Sequence, residues 1–210
     1  MKTRLLTAAV GIPIVLACVL STSMWPWVAL LAVVGCLALP EGLKLFPGAQ
    51  ALLLVPYVVG PLAAMAHLQQ LGHGQNPAWS WNLALLVLLP LWAGDSAGYF
   101  VGRAIGKHKL APVISPKKTW EGAIANFLAC VGVCAWLGTS YGVATPVWVC
   151  AAFATGIFGQ AGDLFESWLK RKRDLKDSGS LLPGHGGILD RIDSILFAAP
   201  LVWLAARLFV

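Results

Sequence analysis

The chain has 210 residues, of which 58% are hydrophobic and only 11% are charged, and its mean hydropathy is +0.75. Charged residues make up roughly 25% of a soluble domain, so this composition excludes an ordinary soluble protein and favours a membrane protein. The formal net charge of +6 comes from basic residues that fall on one side of the predicted topology, so it does not indicate nucleic-acid binding.

Apolar segments long enough to cross a bilayer as helices recur along the chain. We predict an all-α polytopic integral membrane protein with about seven spans, and six or eight remain open. The spans lie near residues 5–21, 24–40, 50–69, 80–101, 121–140, 146–166 and 188–209. The first span lacks a convincing cleavage site, so we expect a retained helix rather than a signal peptide. No long linker divides the chain, which predicts a single membrane domain over residues 1–210.

The basic residues give the predicted topology an orientation. With the N-terminus in the cytoplasm, 14 of the 15 Lys and Arg residues lie on the cytoplasmic side, and only Arg207 does not. The alternate loops, near 21–24, 70–79 and 141–145, contain no Lys or Arg. This asymmetry is the positive-inside pattern of cytoplasmic loops. It predicts a cationic face suited to anionic lipid head groups and nucleotide phosphates.

The first part of the chain, residues 1–79, is interpreted as scaffold. Pro40, Glu41 and Gly42 are expected to close the second span. A functional role is one interpretation of Glu41, but a loop acid at a membrane surface is more often solvated, and Glu41 is interpreted as such an acid. His73, in a loop on the far side, has no nearby carboxylate in the sequence and is not expected to take part in chemistry. The polar groups that bear chemistry concentrate in residues 80–210.

Asp95 lies at the end of the fourth span, among the small residues Gly94, Ser96, Ala97 and Gly98. Ionisable residues within membrane spans are costly and usually mark a functional site. One interpretation is a polar anchor for a substrate that enters from the cytoplasmic side. The alternative is a helix-packing surface in which Asp95 pairs with a neighbouring Arg or Lys.

The next loop contains Ser115, Pro116, Lys117, Lys118 and Thr119 in succession. Ser before Pro fits the start of a helix. A helix N-terminus with two Lys and a Thr is suited to phosphate binding, although an ordinary positive-inside anchor is equally consistent with the pattern. The glycine pattern of a P-loop is absent, which argues against P-loop hydrolysis of a nucleotide.

Carboxylates and cations alternate after the sixth span. At helical spacing Asp163, Ser167 and Lys170 share one face, as do Asp190 and Asp193 at the mouth of the last span. Asp163, Asp190 and Asp193 together are candidate oxygen ligands for a hard cation such as Mg²⁺.

At these residues the sequence resembles the phosphatidate cytidylyltransferases, also called CDP-diacylglycerol synthases. The family signature matches without a spacing error at Ser167, Lys170, Arg171, Lys176, Asp177, Gly179, Pro183, His185, Gly186, Gly187, Asp190, Arg191 and Asp193. The segments 3–8, 95–99 and 115–122 are also similar to family elements. Many relatives carry additional spans in the N-terminal half, so this chain is a short version.

The resemblance implies that CTP and phosphatidic acid react to give CDP-diacylglycerol and pyrophosphate, in a cytoplasm-facing site of a bacterial inner membrane. It implies Mg²⁺, allows a second, monovalent cation such as K⁺, and suggests a homodimer. We assign catalytic roles to Asp163, Lys170, Arg171, Lys176, Asp177, His185, Asp190 and Arg191. Substrate contacts are assigned to Asp95, Ser115, Lys117, Lys118, Thr119, Ser167, Gly186 and Gly187, and metal contacts to Asp163, Asp190 and Asp193.

Other functions share parts of this pattern. A CTP-dependent polyprenol kinase, or a CDP-lipid synthase that acts on ether lipids, would share CTP, Mg²⁺ and the topology. The complete signature from Pro183 to Asp193 argues for the diacylglycerol enzyme. A transporter would distribute its charges across the membrane midplane, whereas these charges gather at one face.

Overall fold

A computed structural model describes residues 2–73, 82–181 and 186–210, without the side chains of residues 2–8, 72 and 73. Within these ranges the fold is almost entirely helical. The α-helices are α1 (Lys2–Val19), α2 (Trp25–Leu45), α3 (Gly60–His73), α4 (Leu85–Ile105), α5 (Trp120–Ser140), α6 (Thr145–Phe153), α7 (Gln160–Lys172) and α8 (Leu189–Phe209). A 3₁₀ segment (Gly48–Leu53) and a π-helical segment (Val55–Val59) precede α3, and a second π-helical segment (Ala154–Gly159) joins α6 to α7.

Six helical segments in the described residues are long and apolar enough to cross a membrane. They are Trp25–Leu45, Gly48–Leu71, Leu85–Ile105, Trp120–Ser140, Thr145–Lys172 and Leu189–Phe209. The first predicted span coincides with α1, whose described apolar stretch is Ala9–Val19. The prediction of a polytopic helical membrane protein is confirmed.

The second span is longer than the sequence predicts. Pro40 lies inside α2, which continues through Glu41 and Gly42 to Leu45, so the prediction that these residues close the span is wrong. Membrane helices tolerate proline because neighbouring groups compensate for the lost hydrogen bond. Here Gly42 lies close against Leu54, and a side chain at position 42 would collide with it.

A β-hairpin between α4 and α5 is the one departure from an all-α fold in the described part of the chain. Strands β1 (Lys109–Ala111) and β2 (Ser115–Thr119) are antiparallel, and Lys109 pairs with Thr119. The expected helix start at Ser115 is therefore wrong. The N-cap of α5 is Thr119, whose hydroxyl accepts a hydrogen bond from the Gly122 amide at 3.2 Å. Thr is a good N-cap, and strand pairing keeps the preceding residues extended.

Helix α8 lies at the centre of the bundle and contacts α2, α3, α4, α6 and α7. Its buried small residues, Ala198 and Ala199, allow these neighbours to approach closely. A polar contact also joins α8 to α3, because the Trp203 indole donates a hydrogen bond to His67 Nδ1 at 2.7 Å. These contacts hold α8 between the N-terminal helices α2 and α3 and the later helices of the chain.

Candidate active site

Glycines bring the backbones of α4 and α5 together next to Asp95. A Cβ at Gly122 would lie only 2.7 Å from the Gly98 carbonyl oxygen. This close approach places Asn126 of α5 beside Asp95 of α4, and the Asn126 amide donates a hydrogen bond to Asp95 Oδ1 at 3.2 Å. Asp95 is thus held by an amide of α5, and the alternative of a direct ion pair with Arg or Lys does not occur among the described contacts.

The β-hairpin is connected to α7 by an ion pair. Lys118 Nζ lies 2.6 Å from Asp163 Oδ2, and the Ser167 hydroxyl donates to Asp163 Oδ1 at 3.3 Å. The contact between Asp163 and Ser167 confirms that these residues share one face of the helix. Both carboxylate oxygens of Asp163 therefore have partners on different elements, the hairpin and α7 itself.

Lys170 forms the centre of a second, more buried cluster. Its ammonium lies 3.1 Å from Glu166 Oε1 and also contacts Asp190 Oδ1 on α8. The Glu166 side chain is fully buried and that of Lys170 is 8% exposed. A buried charge is tolerated only with compensating partners, so this triad fixes α7 against the start of α8.

The other oxygen of Asp190 organises the loop before α8. Asp190 Oδ2 accepts hydrogen bonds from the Ser178 amide at 2.9 Å, the Ser178 hydroxyl at 2.9 Å and the Gly187 amide at 2.8 Å. Gly186 precedes this contact with φ of 79°, a left-handed conformation that favours glycine. Asp190 thus connects Ser178 and Gly187 to Lys170. These two residues belong to the loop between α7 and α8, here called the signature loop, which is described at residues 173–181 and 186–188.

Two adjoining cavities lie between these elements. The larger, of about 590 Å³, is lined by the hairpin, α4 and α5 and carries four cationic residues: Arg103, Lys109, Lys117 and Lys118. The smaller, of about 240 Å³, is lined by five carboxylate residues, Asp95, Asp163, Asp177, Asp190 and Asp193, together with Lys170 and Arg191. Asp95, Asp163 and Ser194 line both cavities. A cationic chamber therefore adjoins an acidic one across a shared wall.

The structure brings most of the predicted site residues to this pair of cavities. Of the predicted set, the residues that line one or both cavities are Asp95, Lys117, Lys118, Thr119, Asp163, Lys170, Asp177, Asp190, Arg191 and Asp193. Ser167 and Gly187 do not line either cavity, but they donate hydrogen bonds to Asp163 and Asp190, which do. Gly186 is adjacent to Gly187 and approaches Asp190 closely.

Three predicted residues lie away from the cavity walls. Ser115 begins β2, at the end of the hairpin farther from α5, and Lys176 is exposed. Arg171 donates a hydrogen bond from its guanidinium to the Leu175 carbonyl at 2.7 Å, so it stabilises the turn after α7. Substrate and catalytic roles for these three residues stay predictions. His185 lies outside the described residues.

The acidic cavity has the right donor chemistry for a hard cation. Asp95, Asp163 and Asp193 all line it, and Asp193 is within electrostatic range of both other carboxylates. Carboxylates, together with water and substrate phosphates, are the ligands that Mg²⁺ prefers. Asp190 differs from Asp163 in the number and burial of its partners: its Oδ1 contacts the buried Lys170 ammonium, and its Oδ2 accepts three hydrogen bonds from Ser178 and Gly187. The contacts of Asp190 favour a positioning role, and its assignment as a ligand stays a prediction.

The side chains that the structure describes do not form a complete metal site by themselves. In residues 2–73, 82–181 and 186–210, no three His, Cys, Asp or Glu side chains are arranged to hold a metal ion. Mg²⁺ commonly takes only one or two protein carboxylates and completes its shell with water and phosphate oxygens. The carboxylates of the acidic cavity fit a Mg²⁺ site of this kind.

Several residues at the cavities were not identified from the sequence. Asn126, Gln160 and Ser194 have polar side chains within or next to apolar helices, and this exception to the hydrophobic pattern is a signal that could have indicated them. Arg103 was counted only as a topological charge, yet it lines the larger cavity and donates a hydrogen bond to the Tyr99 hydroxyl at 3.0 Å.

A protein family and several named proteins are similar to this chain over more than half of its length. The model of the cytidylyltransferase family matches residues 47–209. A Brucella suis protein named phosphatidate cytidylyltransferase is 43% identical over 140 residues, 65% of this chain and 50% of the relative. Proteins of the same name from Haemophilus influenzae and Bacillus subtilis are 41% identical over 154 residues and 45% identical over 125 residues. The match to the Haemophilus protein covers 70% of this chain and 52% of that protein. The match to the Bacillus protein covers 57% of this chain and 45% of that protein. The chain thus spans about half the length of the curated relatives it matches.

Proposed function

Because this chain belongs to the cytidylyltransferase family, we propose that it transfers the cytidylyl group of CTP to phosphatidic acid, with CDP-diacylglycerol and pyrophosphate as products. The observation that carries the proposal is the shared wall of the two cavities, where Asp95 and Asp163 separate a cationic chamber from an acidic one. This arrangement suits a reaction between two phosphate-bearing substrates, since one chamber can neutralise phosphate charge and the other can hold a cation.

The larger cavity is the proposed chamber for the substrate phosphates. Its volume of about 590 Å³ is within the roughly 300–1,000 Å³ common for small-molecule sites. Lys117 and Lys118 come from one strand, and Arg103 comes from the neighbouring helix α4. These cations come to one cavity from separate elements, a strand and a helix, so their charges act together on a phosphate bound there.

The reaction needs no protein nucleophile. An oxygen of the lipid phosphate attacks the α-phosphorus of CTP, and the bond from that phosphorus to the β-phosphate oxygen breaks. The electron pair leaves with pyrophosphate. The lipid phosphate is already an anion, so no side chain has to remove a proton from it. The chain's contribution is to orient the two phosphates and to offset the charge of the leaving group with Lys and Arg side chains.

Lys118 is proposed to exchange partners during the reaction cycle. In the structure its ammonium pairs with Asp163 at 2.6 Å. A phosphate oxygen in the larger cavity would compete for the same ammonium, and Asp163 would then become free for another cation. Lys170 remains bound between Glu166 and Asp190 and keeps the signature loop in place.

We propose that Asp163 and Asp193 hold Mg²⁺, with Asp95 as a further oxygen acceptor for a water of the ion's shell. When bound, the ion would neutralise phosphate charge and orient the nucleotide. Asp95 remains available because Asn126 occupies only its Oδ1 in the described contacts. A second, monovalent cation such as K⁺ and a homodimer remain predictions from the family resemblance.

The charge asymmetry supports a site that faces the cytoplasm in a bacterial inner membrane. Eleven of the 15 Lys and Arg residues fall in segments 103–118 and 170–191, and these two segments supply the cationic residues that line the cavities. Phosphatidic acid would reach the site from the bilayer, and CTP would reach it from the cytoplasm.

An omission assay tests the proposal. Purified protein in detergent is incubated with CTP, phosphatidic acid and Mg²⁺, and pyrophosphate release and lipid products are measured. We expect CDP-diacylglycerol and pyrophosphate in equal amounts, and no product when any one component is left out. Product formation from a polyprenol or an ether lipid in place of phosphatidic acid would contradict the proposed acceptor.

A further inference from the structure

Glu41 is a buried carboxylate that lies in the N-terminal part of the chain, yet contacts the signature loop. It is only 6% exposed, so its interpretation as a solvated surface acid is wrong. Glu41 precedes residues 47–209, which the family model matches. The physical reason for the error is non-local: α2 extends beyond Pro40 and carries Glu41 to a loop more than 130 positions later in the sequence.

The carboxylate of Glu41 binds both ends of that loop. Its Oε2 accepts a hydrogen bond from the Ser178 hydroxyl at 3.1 Å and another from the Leu189 amide, at the first residue of α8, at 2.9 Å. The first amides of a helix have no partner within the helix, so an external carboxylate at this point stabilises the helix start. Glu41 thus supplies from a distant helix the contact that a local N-cap residue would normally make.

The fit around this carboxylate is tight on both sides. A Cβ built at Gly179 would overlap Glu41 Oε1 and lie 2.6 Å from Glu41 Cδ. A Cβ at Gly187 would overlap Glu41 Oε2 and the Ser178 hydroxyl. Because Gly179 and Gly187 have no side chains, the Glu41 carboxylate has room between them.

The same loop residues also contact Asp190. Ser178 donates from its amide and its hydroxyl to Asp190 Oδ2, and the Gly187 amide donates to the same oxygen. The Ser178 hydroxyl therefore lies within hydrogen-bond distance of two carboxylates, that of Glu41 and that of Asp190, and its single proton is donated to one of them at a time. Asp190 in turn contacts Lys170, which lines the acidic cavity.

We infer that Glu41 is a positioning residue, which sets the signature loop and the start of α8 so that Asp190 and Lys170 keep their places at the acidic cavity. The effect on turnover rests on the proposed function, whereas the structural contact does not. The inference assigns a role in the site to the N-terminal helices, which the sequence had indicated only as scaffold.

Two variants of Glu41 distinguish the effect of side-chain length from the effect of side-chain charge. Glu41→Gln keeps the length and one oxygen acceptor, whereas Glu41→Asp keeps the charge but withdraws the carboxylate by one methylene. Loss of a buried hydrogen-bond acceptor commonly costs about tenfold in an equilibrium or a rate. We expect CDP-diacylglycerol turnover to fall at least about tenfold in Glu41→Asp and less than about threefold in Glu41→Gln. Lys44→Ala, an exposed residue on the same helix, should leave turnover unchanged.

Hydrogen exchange of the backbone amides provides a readout that does not require activity. Peptides that contain Leu189 should exchange faster in Glu41→Asp than in the native protein, and close to the native rate in Glu41→Gln and Lys44→Ala. Native exchange at Leu189 in Glu41→Asp, or faster exchange in Glu41→Gln than in Glu41→Asp, would overturn the inference. If the native protein shows no turnover at all, the proposed function fails, and the exchange result still decides whether Glu41 holds the loop.

A double-mutant cycle with Gly179 tests the contact directly. Gly179→Ala should accelerate exchange of the loop amides when Glu41 is present, because the new methyl group collides with the carboxylate. In the Glu41→Ala background the same substitution should have little further effect, since the colliding atoms are gone. Equal effects of Gly179→Ala in both backgrounds would overturn the inference.

Discussion

Lys118 Nζ lies 2.6 Å from Asp163 Oδ2, so a β-hairpin between α4 and α5 is tied to α7 at the wall between the two cavities. The pair connects the main cationic element of the site to a carboxylate that also lines the acidic chamber. An ammonium in this position can neutralise phosphate charge without any large movement of the backbone.

Substitution of Lys118 by Met should lower kcat by about 100-fold, because a fixed cation beside the reacting phosphates is lost. The measurement is steady-state formation of CDP-diacylglycerol at saturating CTP. Lys107→Met is the matched control: Lys107 is exposed and does not line either cavity. A Lys118→Met protein with the native kcat would contradict the assignment of this residue to the substrate phosphates.

Substitution of Lys170 by Met should destabilise the protein. Removing one partner of a buried ionic cluster costs about 3–5 kcal/mol, because Glu166 and Asp190 would remain without their cation. We expect a large decrease in the thermal midpoint in detergent. Lys172→Met, on the same helix, is the control, since Lys172 is exposed and lies over the Trp168 ring at 3.8 Å. Equal decreases for the two variants would show that Lys170 has no special structural role.

The close approach of α4 and α5 can be tested with two glycines of one helix. A Cβ at Gly122 would lie 2.7 Å from the Gly98 carbonyl oxygen, whereas a Cβ at Gly132 meets nothing within 4 Å. Gly122→Ala should separate the helices, cost about 1–3 kcal/mol in stability and reduce activity, since Asp95 and Asn126 would move apart. Gly132→Ala should be neutral or slightly stabilising. Thermal midpoints and turnover are measured for both, and a harmless Gly122→Ala would contradict the packing argument.

The magnesium proposal predicts a specific defect in Asp193→Asn. Loss of one anionic oxygen ligand should raise the Mg²⁺ concentration required for half-maximal activity by at least about tenfold. Asp174→Asn is a suitable control, because Asp174 is exposed, lies outside both cavities and has a φ of 54°, which Asn tolerates. A Mg²⁺ titration of the activity gives the result. An unchanged Mg²⁺ requirement in Asp193→Asn would remove this residue from the proposed ligand set.

Much of the fold could be predicted from the sequence, because membrane spans depend on local composition. The last predicted span, 188–209, differs from helix Leu189–Phe209 by one residue at its start. The acidic half of the site could also be predicted, since Asp163, Asp190 and Asp193 interrupt or border apolar helices. Their helical spacing correctly placed them on faces that meet at one cavity.

The errors arose where distant segments decide the structure. Ser115 appeared to begin a helix, but pairing with β1 keeps residues 115–119 extended and moves the helix start to Trp120. Glu41 appeared to be a surface acid, because its partners Ser178 and Leu189 are far away in the sequence. Asn126 gave no charge signal, although its amide holds Asp95 in place.

The position of the label transferred from CTP tests the central claim most directly. Purified protein is incubated with phosphatidic acid, Mg²⁺ and CTP labelled with ³²P at either the α- or the γ-phosphate, and the lipid is then extracted. The account predicts label in the lipid only from the α-phosphate, with the γ-phosphate recovered in pyrophosphate. Lipid labelled from the γ-phosphate, with CDP as the other product, would identify a lipid kinase and contradict the account.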